Sequence, residues 1–266
     1  MTESPLHPEA RLHAPGTDLR FCVVVPVYNH EGALPRLVDA LRTIGLPCWL
    51  VDDGSDPRCA YMISALEADN AGWLHSIRLE RNQGKGAAVL GGLKAAQKAG
   101  FTHAIQIDAD LQHDPGQIPR FAAAARQHPE AIINSVPQYD ASVPAVRLHG
   151  RRITTVLVWV HTLSLQIADA MCGFRVYPIA PVLRLEDRTP VGRRMEFDAD
   201  VIVRMFWAGT PVVNLHTPVT YPADGVSHFR MLRDNARMTW LHVRLFCGMA
   251  LRLPVLLQRR LRGLAP

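Results

Sequence analysis

Cysteine is sparse in this chain of 266 residues. The five cysteines, Cys22, Cys48, Cys59, Cys172 and Cys247, form no Cys-x-x-Cys pair. Such an odd, scattered set excludes a disulfide framework and a thiolate zinc site, and it fits a reducing compartment. Lysine is scarcer still: of 29 basic residues only Lys85, Lys94 and Lys98 are lysines. Aromatics make up 7%, too few for the stacking platforms of single-stranded nucleic-acid binders, so no nucleic-acid partner is expected. Long uncharged runs are missing too. Ile153–Ala168 has sixteen residues without a formal charge, too short to cross a bilayer. Residues 1–18 carry Glu3, Glu9 and Asp18 and no apolar stretch, so they read as a loose leader rather than a signal peptide.

What is present is apolar and unevenly charged. Hydrophobic residues are 48% of the chain, ample for one large core. From Arg230 onward there are eight arginines and one acid, Asp234, a local net of +7 against +5 overall. The basic character therefore belongs to the C-terminal segment. This divides the chain into the leader 1–18, a main domain 19–232 and a basic amphipathic helical segment 233–266. In that segment Met238, Leu241, Leu245, Met249 and Leu253 recur at helical spacing among Arg237, Arg244 and Arg252. Two fates fit this pattern: a core-packing helix, or a helix lying in the headgroups of an anionic membrane. The arginines disfavour a spanning helix, and a break is expected near Pro254.

The N-terminal half alternates strand-like and helix-like runs. Phe21–Val27 is a continuous apolar run, as in a strand buried on both faces. Short strands are expected at Cys48–Val51, Leu74–Leu79 and His103–Ile107, with helices between them and another after Pro115. This order predicts an α/β fold with a mostly parallel central sheet flanked by helices. Such sheets bind ligands at the carboxyl ends of their strands. Four polar motifs stand there: Tyr28-Asn29-His30-Glu31, Asp52-Asp53-Gly54-Ser55, Arg81-Asn82-Gln83-Gly84-Lys85-Gly86, and Asp108-Ala109-Asp110-Leu111-Gln112. Each alone is an ordinary turn or helix start; their joint placement marks a site. Neither the dinucleotide Gly-x-Gly-x-x-Gly nor the P-loop Gly-Lys-Ser/Thr is present.

The residue types suit transfer from a nucleoside-diphosphate sugar. The leaving diphosphate gains negative charge. A hard divalent cation, Mg²⁺ or Mn²⁺, held by one or two carboxylates and phosphate oxygens, stabilises it. Asp108 and Asp110 lie on one side of an extended segment and can share that ion. Asp53 could accept hydrogen bonds from base or ribose, and Lys85 and Arg81 offer cations.

This motif series resembles glycosyltransferase family 2, with the nucleotide-sugar-binding, Rossmann-like GT-A fold. It is most similar to the dolichol- and polyprenyl-phosphate mannosyltransferase branch. The resemblance rests on Val25–Glu31, Val51–Ser55, Arg81–Ala88, Asp108–Pro115, Asp169–Arg175, Glu196–Asp198 and Pro218–Arg230. It implies donor contacts from Pro26, Tyr28, Asn29, Glu31, Asp53, Asn82, Lys85, Asp108, Gln112, His228 and Arg230. It implies a metal at Asp108, Asp110 and Gln112, acceptor contacts at Arg147 and Arg151, and catalytic roles for Asp110, Asp198 and Arg175. Arg175 could instead brace the fold. Val136–Pro144 departs from the branch, lacking its glycines and tryptophan.

The implied reaction is inverting transfer to a lipid-linked, polyprenyl-phosphate-like acceptor at the cytoplasmic face of a membrane. The donor would be of GDP-mannose or UDP-glucose type, and the enzyme peripheral on the membrane. A phosphate acceptor is already an oxyanion near neutral pH, its second pKa being about 6, and needs no base. The alternative is a hydroxyl acceptor on a glycolipid, pigment or polysaccharide precursor, with Glu196 or Asp198 as base. Those two acids equally suit pairing with Arg193 and Arg194 at a helix start. A non-catalytic nucleotide- or membrane-binding module is a third, minor reading.

Overall fold

The computed structural model describes residues 19–139, 143, 145–220 and 231–261. Its first half is a run of strand–helix units: β1 (Phe21–Val27), α1 (Leu34–Ile44), β2 (Cys48–Asp52), α2 (Pro57–Asp69), β3 (Leu74–Arg78), α3 (Lys85–Lys98) and β4 (His103–Gln106). After a short 3-10 turn come α4 (Ile118–Gln127), β5 (Ile132–Tyr139) and α5 (Ala145–Thr162). The chain ends with β6 (Arg175–Pro178), α6 (Ile179–Arg188), α7 (Phe197–Trp207), β7 (Val212–Val219) and α8 (Met231–Leu261).

The strands form one sheet of seven, in the order β3-β2-β1-β4-β6-β5-β7. All neighbours are parallel except at β6, which runs antiparallel to both β4 and β5. This is the α/β, mostly parallel architecture that the strand–helix alternation predicts. Every residue of β1 is buried, which is why it reads as unbroken apolar sequence. Pro26 is tolerated there because of its position. Val24 accepts a ladder bond from Ile107 and Val27 one from Asp53. Alternation thus turns residue 26 toward β4, beyond the last β1–β4 pair, Val24 with Gln106. Its missing N–H costs no ladder bond.

Two apolar layers cover the sheet. One packs α1 and α4 on the face formed by Val23, Val25 and Ile105. The other gathers α3, α6, α7 and the inward face of α8. α8 runs without interruption through Pro254, against the break expected there. The segment around the proline is exposed, so water can serve the carbonyl that loses its partner. Just before the proline, Arg252 stacks over the Trp207 ring, and beyond it the helix is held by buried Leu256 and by Arg259 Nη1 donating to Trp207 O at 3.2 Å.

The outward faces of α5 and α8 are different in kind. They carry nearly all the large apolar side chains that stand exposed, among them Ile153, Val156, Trp240, Phe246 and Leu251. By length and composition, Leu232–Leu261 is also long and apolar enough to cross a membrane.

Candidate active site

The site assembles at the carboxyl ends of β1, β2 and β4, from loops that lock one another. Asp52 caps its own turn by accepting from Ser55 N at 2.8 Å and pairs with Arg78. Asp53, almost fully buried, accepts from Gln83 N at 2.6 Å and Gly84 N at 2.8 Å. Burial pushes its pKa up, against the pull of those two N–H groups. Gly54 makes the contact possible. It has φ +69°, and a Cβ there would stand 2.4 Å from the Arg81 backbone. Asn29, in the left-handed region at φ 51°, accepts from Asp56 N at 2.9 Å and donates its own N–H to Ser55. Glu31 and Tyr28 flank it, half-buried. Pro26 is buried inside β1.

The acidic centre follows β4. Lys85, at the first turn of α3, sends its ammonium 2.7 Å from Asp108 Oδ2 and 2.8 Å from Asp198 Oδ2. Burial opposes the charge, but the two carboxylates outweigh it and hold the lysine protonated. Lys85 in turn overcomes the burial of Asp108 and keeps its carboxyl below the usual range. Asp110 behaves oppositely: burial, then the charge of Asp108, raise its pKa. Gly173 closes over this centre, where a Cβ would lie 2.4 Å from Lys85 Nζ and 2.6 Å from Asp108 Oδ2. Leu111, between Asp110 and Gln112, sits at φ 57°, a conformation that non-glycine residues adopt rarely.

The donor set fits a hard cation. Asp108 Oδ1 is buried and has no hydrogen-bond partner. Asp110 accepts from Gln112 N at 3.1 Å and carries a charge that its neighbour makes costly without a counter-ion. No cluster of three or more His, Cys, Asp or Glu groups suited to a metal occurs among the described residues. A cation at this pair would complete its shell from diphosphate and water oxygens, the usual habit of Mg²⁺ and Mn²⁺.

Three residues expected at the site are held by neighbouring groups in this structure. Arg175 is fully buried, donating from Nε to Asn134 Oδ1 at 2.8 Å and from Nη1 to Asp198 O at 2.5 Å. It braces β5, β6 and α7. Asp198 is also buried, held by Lys85 and by Gln106 Nε2 at 3.3 Å. The ammonium of Lys85 faces carboxylates, not an open phosphate site. Arg151 pairs through Nε and Nη2 with Asp169 at 2.5 and 3.0 Å and lies over the Tyr139 ring; Nη1 stands outside that pairing. Arg147 lies in the first turn of α5. His228 and Arg230 lie outside the described residues. Asn82 accepts from Arg194 Nη1 at 2.7 Å, and the Gln112 backbone is tied to Thr220.

Sequence reasoning named Asp169 only as the start of the Asp169–Arg175 motif, with no role, and passed over Asn134. Asp169 accepts from Met171 N and Cys172 N, each at 2.8 Å, shaping the turn that delivers Gly173. Its signal was an Asp two and three residues before a tight turn. Asn134 stands fully buried in an apolar strand, and such a polar group always needs partners. Cys172 Sγ lies 3.4 Å from His113 Nε2, joining this turn to the acidic loop.

Curated relatives match part of the chain. The undecaprenyl-phosphate 4-deoxy-4-formamido-L-arabinose transferase of Pectobacterium atrosepticum is 40% identical over 177 residues, 63% of this chain and 52% of that protein. The enzyme of that name from Salmonella typhimurium is 31% identical over 182 residues, with the same coverages. The chain thus spans about half the length of the curated relatives it matches. Among solved structures, glucosyl-3-phosphoglycerate synthase from Mycobacterium tuberculosis, in complex with Mn²⁺, UDP and glucosyl-3-phosphoglycerate, superposes with a TM-score of 0.66. It is 14% identical, over 90% of this chain and 86% of that one. Staphylococcus aureus TarS with UDP-GlcNAc gives 0.57 at 16% identity, over 85% and 66%. At these identities the likeness is one of fold, and the fold is GT-A-like. The family model described as Glycosyl transferase family 2 matches residues 22–181, which takes in the Asp53 turn, the Lys85 loop, the Asp108–Asp110 pair and the Gly173 turn, and the chain belongs to that family.

Proposed function

We propose that this protein transfers a sugar, with inversion, from a nucleoside-diphosphate sugar to a lipid phosphate at a membrane face. The observation that carries the proposal is the acidic centre: Asp110 beside an Asp108 that Lys85 holds ionised. Asp108 and Asp110 would hold the divalent cation, with Gln112 N orienting Asp110. When bound, that ion neutralises the charge growing on the leaving diphosphate. The loop 82–84, fixed by Asp53, would carry the nucleotide. The solved structures that this chain superposes on are complexes with UDP and UDP-GlcNAc, which favours a UDP-sugar over GDP-mannose.

In the reaction a phosphate oxygen of the acceptor attacks the anomeric carbon as the bond to the diphosphate oxygen breaks. The leaving pair stays on the diphosphate. No proton has to be taken, which matches an Asp198 already occupied by Lys85. Arg151 Nη1, and Arg147 at the same end of α5, would position the acceptor phosphate. The relatives' names carry undecaprenyl phosphate, the acceptor class proposed here. The exposed apolar faces of α5 and α8, with the arginines of α8, would rest against anionic headgroups on the cytoplasmic side.

A hydroxyl acceptor has one observation in its favour: Glu196 Oε2 is buried without a partner and could serve as base. The test is a donor screen with purified protein, Mn²⁺ or Mg²⁺, a panel of nucleotide sugars and undecaprenyl phosphate in vesicles, reading released nucleoside diphosphate. Release from one donor, dependent on metal and acceptor, is expected. Release from none, or turnover undiminished in excess chelator, overturns the proposal.

A further inference from the structure

Asp200 has no evident part in the chemistry, yet it is fully buried and ionically paired. It sits in the first turn of α7 and meets three groups from three places. Arg204 Nε, one turn along, donates to Oδ1. Gly192 N donates to Oδ2 at 2.9 Å. Arg244 of α8 reaches Oδ2 at 3.6 Å.

Gly192 belongs to the segment that backs the donor loop. One residue on, Arg193 O accepts from Ala87 N at 2.9 Å, a first-turn N–H of α3. Arg194 then grips Asn82 twice, Nη1 on Oδ1 at 2.7 Å and Nη2 on the backbone O at 3.3 Å. The guanidinium of Arg194 also works against the burial that raises the pKa of Asp53. Glu186 holds the other end of the segment through Val191 N at 2.8 Å and through Arg193. A continuous set of bonds therefore runs from α8 through Asp200 and residues 192–194 to the loop 82–87.

We propose that Asp200 is a positioning residue for donor-nucleotide binding, and that Arg244 ties its setting to the seating of α8. This rests on the donor reading given above. The geometry gives the cause. Arg204 and Arg244 approach opposite carboxylate oxygens and fix the plane that aims Oδ2 at Gly192. Without Arg244, the Arg204 fork is free to take both oxygens, as guanidinium groups favour, and Oδ2 turns from Gly192. The backing segment then loosens, and with it Asn82 and Asp53. Arg204 still neutralises the buried carboxylate, so the fold survives.

The test titrates UDP and GDP, each with Mn²⁺, into the full chain by calorimetry. The variants are Asp200→Asn, Arg244→Gln, Arg244→Lys and, as control, Arg237→Gln, whose arginine pairs with Asp234 inside α8. Losing a charge-assisted bond predicts roughly tenfold weaker nucleotide binding in Asp200→Asn and about fivefold in Arg244→Gln. Arg244→Lys and Arg237→Gln should bind as the parent does. Hydrogen exchange read on peptides over 82–92 and 188–196 should rise in Arg244→Gln, whether or not Asp200→Asn folds. Unchanged exchange in both peptides, or parental affinity in a folded Arg244→Gln, overturns the inference. A parent that binds neither nucleotide sinks the donor reading instead, and the exchange data still decide whether Arg244 orders the loop.

Discussion

Lys85→Met removes one ammonium from between two carboxylates and leaves a side chain of similar length. At 2.7 and 2.8 Å, each contact is worth about 6 kcal/mol of gross Coulomb attraction at an effective dielectric of about 20. Desolvation of the ions, several kcal/mol each, cancels much of this. Removing one partner of a buried ion pair still costs about 3–5 kcal/mol, because the other charge stays behind unpaired. The variant should lose that much in urea unfolding at pH 7.5. The sign of the pH dependence is a second check. In the parent, Asp108 has a depressed pKa, so its contribution is present above the unfolded value of about 3.9 and is lost only as pH falls below it. In Lys85→Met, Asp108 and Asp198 repel and one pKa rises. The variant then gains stability as pH falls toward 5, and its gap to the parent narrows. Lys85→Met with Asp198→Asn should recover part of the loss through a favourable coupling energy. A loss under about 1 kcal/mol at pH 7.5, or a gap that widens at pH 5, would refute a charge-locked centre.

Asp110→Asn should abolish turnover, a loss of at least a hundredfold. The same change should leave the metal-free protein's melting temperature unchanged or raised, because it removes a charge whose pKa burial and Asp108 push up; a large drop in melting temperature would contradict this. Arg175→Met should cost about 3 kcal/mol or more of stability, from the bonds at Asn134 and Asp198, whereas exposed Arg188 replaced by Ala should stay within about 0.5 kcal/mol; equal unfolding midpoints would show Arg175 is no brace. His161, buried and 3.1 Å from His242, has a pKa pushed down to about 4 by burial and then by His242. Its contribution is therefore full above about pH 6.5 and is lost as pH falls toward 4, on the order of 3 kcal/mol. His161→Asn should flatten the fall in urea midpoint over that range.

The parallel half of the fold was legible because β1 and β2 are buried, largely apolar runs and helical periodicity separates the strands. β6, four residues antiparallel between β4 and β5, was not. Its sequence Arg-Val-Tyr-Pro has no strand alternation, and Arg175 is buried by partners far away in the chain. α5 hid for a related reason: its apolar residues face both core and exterior, as buried Val158 and exposed Ile153 show, which blurs the one-sided stripe. At the site, residue types at strand ends located Asp53, Asp108 and Asp110. They could not reveal that Lys85 turns inward to Asp198, since that ion pair joins residues 113 positions apart. Such a contact depends on tertiary packing, and local pattern carries no trace of it.

The most direct test of lipid-phosphate transfer compares undecaprenyl phosphate with undecaprenol in the same vesicles. Both are given the donor identified by screening, with Mn²⁺, and labelled sugar is counted in the lipid phase. Label on undecaprenyl phosphate alone, absent in Asp110→Asn and retained in Glu196→Gln, is the predicted result. Label on undecaprenol at a comparable rate, abolished by Glu196→Gln, would show a hydroxyl acceptor with a general base and contradict transfer to a phosphate.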